Sequence, residues 1–235
     1  MATQSDKPIV LYTQSTPNGY PISVFLEELK EKYGGPDYEP VNMSIRDADI
    51  GKVHNQVKSP WFLEQINPNG RIPAITHNGF PVFETSAILA YLGQTFDKEH
   101  AFSRDPVSDP QGYSTELQWL FFTHGGIGPM QGQANHFNLY APEKIPYAIN
   151  RYLNETKRLY GVLESRLTGR EWLLDTGYGI ADIKGWSWVR FAPLVGLDLA
   201  EFPNVKAWID RIEQRPAVQK GIQIPTPRDP PAQKK

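Results

Sequence analysis

The spacing of apolar residues changes its rule once along this chain, near Asp97, and that change limits the folds open to it. Before it, short strand-like runs alternate with helix-length stretches. Ile9 to Thr13 predicts a strand, and Pro17 to Lys32 a helix with Ile22, Phe25, Leu26 and Leu29 on one face. Tyr38 to Ile45 predicts a second strand. Arg71 to Thr76 and Pro81 to Phe83 flank His77-Asn78-Gly79, and Asn-Gly between apolar runs signals a hairpin. Thr85 to Phe96 predicts another helix, through Ile88, Leu89, Tyr91 and Leu92. This order is that of an α/β unit.

After Asp97 nearly every segment has helical spacing. Lys144 to Leu167 places Ile145, Ile149, Tyr152, Leu153, Leu159, Tyr160, Leu163 and Leu167 on one stripe. Gly179 to Trp188 and Asn204 to Arg215 predict two more helices, with Gly196 breaking between them. Residues 98–110, KEHAFSRDPVSDP, have two prolines, mixed charge and little periodicity and are expected to be a linker. The expected layout is an α/β domain over 8–97, that linker, an all-helical domain over 111–222 and a mobile, proline-rich tail over 223–235.

Charge and cysteine content narrow the chemistry. The net charge of -2, from 24 basic and 26 acidic residues, supplies no broad positive field, so no nucleic-acid partner is expected. No window reaches the roughly 18 apolar residues of a membrane span, and the start, MATQSDKP, lacks a leader pattern. The expected location is cytoplasmic, with no membrane partner. There are no cysteines, so any thiol chemistry must use a thiol that the ligand brings. His54, His77, His100, His124 and His136 show no metal-ligand spacing, and no metal is expected.

Four stretches could carry a site. In TQSTPNGYP, Thr13 to Pro21, a strand ends and a helix begins, with Pro17 expected near the first turn. A helix start favours an anion or a thiolate, and Asn18 and Thr16 add an amide and a hydroxyl donor. The same residues also fit plain capping by Thr16 or Ser15. In NPNGRIPAI, Asn67 to Ile75, Pro73 before a strand fits a cis bond that exposes the backbone of Ile72 to an extended ligand, or a plain edge strand. In VFETSAILAYL, Glu84 and Thr85 stand at a strand-to-helix junction suited to a zwitterion, or serve as a cap. GYGIADIKGW reads as a folding element, with Gly179 at the cap and Asp182 reaching back. GGIGPM, Gly125 to Met130, follows helical residues and reads as a kink or close helix approach lining a cleft rather than as a phosphate cradle. Phe121, Phe122, Met130, His136, Phe137 and Trp186 would make an apolar, aromatic pocket.

Taken in order, NPNGRIPAI, FETSAIL and GIADI resemble the glutathione transferases, a thioredoxin-like N-terminal domain followed by a helical one. TPNG at 16–19 and the block from Gln118 to Leu167 are similar to the nu-class bacterial enzymes and to fungal relatives of the yeast nitrogen-catabolite regulator. The resemblance covers residues 8 to 220 and implies a glutathione-dependent transferase or disulfide reductase, with glutathione as co-substrate and a hydrophobic electrophile or a disulfide as partner. A regulatory, ligand-binding protein with little catalysis is the alternative it leaves open. It implies a homodimer, and it assigns residues as well. The thiolate would lie near Asn18 and Thr16, the cysteinyl backbone at Ile72 and Pro73, and the glutamyl end at Glu84 and Thr85. Arg151 and Gln56 would be further glutathione contacts, and Tyr12 would have no catalytic place. The chain departs from the branch where Pro21 replaces a usual lysine, Thr85 and Gly179 replace common hydroxyl residues, and Gln65 reads as an insertion.

Overall fold

The computed structural model describes residues 8–225, which form two compact units. The first comprises residues up to Leu89 together with those from Pro216 onward. It contains β1 (Ile9–Thr13), α1 (Tyr20–Tyr33), β2 (Tyr38–Asn42), α2 (Pro60–Gln65), β3 (Ala74–His77), β4 (Phe80–Phe83) and the start of α3 (Thr85–Phe96). The strands lie in the order β2-β1-β3-β4, with β1 parallel to β2 and antiparallel to β3, and β3 antiparallel to β4. This is the mixed sheet of a thioredoxin-like unit.

Sequence accounts for the placement. β1 is central and apolar on both faces: Ile9 and Leu11 are fully buried and Tyr12 nearly so. β2 lies at the edge, mostly exposed, and ends at Asn42, three residues before the expected Ile45. α1 buries Ile22, Val24, Phe25, Leu26 and Leu29, each such side chain contributing about 1.5–3 kcal/mol. It stops at Gly34, whose φ of 79° supplies the left-handed cap and whose amide donates to the Lys30 carbonyl. The helix opens at Tyr20, so Pro21 occupies its first turn and Pro17 belongs to the turn before it.

The second unit, Ala90–Arg215, is helical. It contains the rest of α3, then α4 (Pro110–Phe122), α5 (Gly128–Asn135), α6 (Pro146–Leu167), α7 (Ile180–Val189) and α8 (Pro203–Glu213). A π-turn at Thr123–Ile127 joins α4 to α5, and a second, His136–Tyr140, follows α5. The glycine-rich stretch is therefore helical and closely approached: a Cβ on Gly128 would lie 3.1 Å from Trp188 Nε1. A buried chain of hydrogen bonds runs from the Tyr160 hydroxyl to Gln131 Oε1 (2.8 Å) and from Gln131 Nε2 to the Trp188 carbonyl (2.9 Å). The expected linker is pinned: amides of Ala101, Phe102 and Ser103 all donate to the buried Asp97 carboxylate.

The last helix, α9 (Pro216–Gly221), departs from the expected helical domain and packs on α1. A Cβ on Gly221 would come within 2.5 Å of Val24 Cα, and the Gly221 carbonyl accepts from Ser23 Oγ at 2.8 Å. Most of the expected tail, 226–235, lies outside the described residues. At its start the Pro225 carbonyl accepts from Ser15 Oγ at 3.4 Å. No helix among the described residues is long and apolar enough to cross a membrane.

Candidate functional site

The turn before α1 is held by Thr16. Its carbonyl accepts from the Gly19 and Tyr20 amides, both at 3.0 Å, and its Oγ1 accepts from Gly19 N at 3.1 Å. Thr16 thus closes the turn that leads into the N-cap residue, Gly19, and a hydroxyl that accepts keeps its own hydrogen to donate. The helix start offers few open amides: Gly19 and Tyr20 turn back to Thr16, and Pro21 has none. What can meet an anion here is the helix dipole plus the half-buried side chains of Thr16 and Asn18. Gly19 is needed for the close approach, because a Cβ would stand 2.1 Å from the Gln14 carbonyl oxygen.

A second loop meets this turn. The hydroxyl of buried Thr85, at the first position of α3, donates to the Asn18 carbonyl at 3.3 Å. Glu84 precedes it, exposed, with its carbonyl accepting from Ile88 N. Its φ of 72° is a left-handed conformation that costs a glutamate about 1–2 kcal/mol, and such strain gathers where ligands are held. Exposed Glu84 and the start of α3 thus stand next to the turn that carries Asn18, through the bond from Thr85.

The third part is the edge of β3. The Ile72-Pro73 bond is cis. The ladders end at Tyr12↔Ala74 and Ala74↔Phe83, so the backbone of Ile72 lies beyond both and can pair with an extended peptide. Behind it, buried Asn67 donates to the Arg71 carbonyl (2.9 Å) and accepts from Asn69 N (3.0 Å), fixing the approach to Pro73.

The remaining expected residues have partners or neighbours of their own. Gln56 is buried, its amide oxygen accepting from Lys58 N and its nitrogen donating to the Arg46 carbonyl at 3.4 Å, so its side chain braces the 44–58 loop. Tyr12 packs against Trp61 and Phe62, and burial pushes its hydroxyl pKa up. In the helical unit, Arg151 lines a hollow of about 580 Å³ with Met130, Tyr147, Tyr152 and Arg158. The expected aromatic pocket does not form from its six residues. Phe121 is 59% exposed, while Trp186 is fully buried with the Arg190 guanidinium 4.8 Å above its ring. The Asp182 reading holds: its carboxylate accepts from the amides of Leu173 (2.9 Å) and Gly179 (3.0 Å) and from Trp208 Nε1 (2.8 Å). Among the described residues no cluster of His, Asp and Glu could hold a metal ion.

The site therefore belongs to a thioredoxin-like unit, followed in the chain by a helical one. "Glutathione S-transferase, N-terminal domain" matches residues 32–94, and "Glutathione S-transferase, C-terminal domain" matches 135–216. The chain is 42% identical to the disulfide-bond oxidoreductase YfcG of Escherichia coli over 221 residues, 91% of this chain and 94% of that one. Among solved structures it resembles the transferase URE2P6 of Phanerochaete chrysosporium in complex with oxidized glutathione (TM-score 0.81, 38% identity, 92% of this chain and 95% of that one). It also resembles Ure2p in complex with glutathione (TM-score 0.80, 30% identity, 94% of this chain and 95% of that one). The chain belongs to the glutathione S-transferase family, and these neighbours include the fungal Ure2-like branch.

Proposed function

We propose that this protein is a glutathione-dependent enzyme that uses the bound tripeptide's thiolate to reduce disulfides. The observation that carries the reading is the Thr85 to Asn18 hydrogen bond, which joins a zwitterion-suited helix start to a thiolate-suited turn. The glutamyl end binds at Glu84 and the amide of Thr85, the cysteinyl backbone pairs with Ile72 beside Pro73, and the sulfur meets Asn18 and Thr16. Gln56 steadies the 44–58 loop through its bonds to Arg46 and Lys58.

A thiol has a pKa of about 8.5, so lowering it by about two units, about 2.7 kcal/mol, makes it mostly ionised at neutral pH. A helix dipole with two short donors can supply that much. The glutathione thiolate attacks one sulfur of the substrate disulfide, the old S–S bond breaks, and the departing thiolate takes a proton. A second glutathione then attacks the mixed disulfide, leaving oxidised glutathione and two substrate thiols. The chain has no cysteine to form a mixed disulfide with the protein. YfcG and the neighbour holding oxidized glutathione favour disulfide exchange over conjugation.

The test compares turnover of bis-2-hydroxyethyl disulfide with that of an aryl halide, in the wild type and in Asn18→Ala. Disulfide turnover should exceed conjugation. Asn18→Ala should lower kcat about 100-fold with the KM for glutathione nearly unchanged. An unchanged kcat with a raised KM would remove Asn18 from the chemistry. Retention on immobilised glutathione without either activity would mark a binding protein.

A further inference from the structure

The sequence holds three Asn-Gly pairs, at 18–19, 69–70 and 78–79. Such pairs destroy themselves. The glycine nitrogen attacks the asparagine Cγ, a ring C–N bond forms, and the C–NH2 bond breaks as ammonia leaves with the glycine's proton. Water then opens the succinimide to aspartate or isoaspartate. No oxidant or enzyme is needed; the reaction needs only a glycine nitrogen free to turn and lose its proton.

The structure treats the three pairs differently. At 18–19 the Gly19 N–H is shared between the Thr16 carbonyl (3.0 Å) and Thr16 Oγ1 (3.1 Å). Its Cα is wedged so tightly against Gln14 and Thr13 that not even a methyl group would fit. At 69–70 the Gly70 amide donates to the Asn67 carbonyl at 2.9 Å, and Asn69 N donates to Asn67 Oδ1. At 78–79 both residues are exposed at the hairpin tip, with φ of 49° and 86°. There the Gly79 N–H meets no such acceptor among the described residues.

We propose that Thr16 protects Asn18 from self-inactivation by holding the Gly19 nitrogen in hydrogen bonds, and that Asn78 is the asparagine of these pairs that ages in the native protein. Conversion at position 18 would replace an amide donor with a carboxylate beside the proposed thiolate, repelling the charge the site must stabilise. That consequence rests on the site proposed above. The protection itself rests only on the hydrogen bonds at Gly19.

The experiment ages wild-type protein at mildly alkaline pH, folded and in guanidinium, then quantifies aspartate and isoaspartate at each pair by peptide mass spectrometry. Folding should slow Asn18 and Asn69 at least about tenfold, because attack then requires local opening, while Asn78 should convert fastest. Thr16→Val should raise conversion at Asn18 about fivefold, the factor one ordinary hydrogen bond is worth, and Thr16→Ser should not. Asn69 and Asn78 are internal controls for folding of each variant. Equal conversion of Asn18 in folded and unfolded wild type would overturn the proposal, as would an unchanged Asn18 rate in a folded Thr16→Val. If Asn18 is seen to convert while disulfide turnover holds steady, the protection stands and the thiolate role of Asn18 fails.

Discussion

Two helices of this protein begin behind a glycine, and they begin differently. At α7 the amides of Gly179 and Leu173 end on Asp182, whose carboxylate is fully buried and also takes the Trp208 indole. Burial pushes the Asp182 pKa up to about 6, against the pull of those donors. At α1 the first turn has no acidic residue, and backbone and hydroxyl oxygens of Thr16 close the turn while Asn18 stays half-buried. A charge of the chain's own fills one helix start. The other has no acidic side chain of its own in its first turn. The same local grammar thus builds a folding element in one unit and a candidate site in the other.

The contrast is broken most severely at Asp182. Asp182→Ala strands three buried donors and should lower unfolding free energy by about 3–5 kcal/mol, measured by denaturant titration. Asn18→Ala, measured alongside, should stay within about 1 kcal/mol of wild type. Comparable losses at both positions would show that the two helix starts are alike after all.

An effect spread over a range of pH is expected from Glu116, another buried acid of the helical unit, whose pKa burial raises to about 8. The folded state binds its proton more tightly than the unfolded chain does. This contribution is therefore complete below the unfolded value, near 4.5, and is lost as pH rises through about 8. Wild-type stability should fall over that window, and Glu116→Gln should flatten the slope. An identical slope in the variant would show that Glu116 is ionised throughout.

The mildest change sharpens the comparison at α1. Thr85→Val removes the hydroxyl that meets the Asn18 carbonyl and should cost about 1 kcal/mol, seen as a few-fold drop in kcat/KM for glutathione. No change would mean that the two loops are positioned by packing alone.

Sequence reading found the elements whose signal is local. β1, the Asn78-Gly79 hairpin, α3, α6 and α7 all have full periodic stretches or turn dipeptides. It missed α2 and α9, each of six residues, because one turn and a half is too short to show a period. It treated 98–110 as a linker because the Asp97 bonds that pin it join residues to a carboxylate, a pattern that hydropathy does not register. The strand-to-helix junctions that carry Thr16, Asn18, Glu84 and Thr85 were legible because helix starts and turns are written in adjacent residues. That Gln56 is buried with partners on Arg46 and Lys58 depends on the packing of its loop, which its spacing in the sequence does not show. The same holds for the six aromatic and apolar residues expected in one pocket, since Phe121 and Trp186 differ fully in exposure.

Glu84 carries a tension of its own. Glycine at that spot would relax a backbone wound the uncomfortable way and make the chain sturdier. If Glu84 holds the tripeptide's amine as proposed, glycine would also remove that acid, so robustness and grip would pull in opposite directions at a single residue. A variant library selected only for heat resistance would be drawn toward the comfortable choice, and on the proposed reading its members would bind glutathione less tightly.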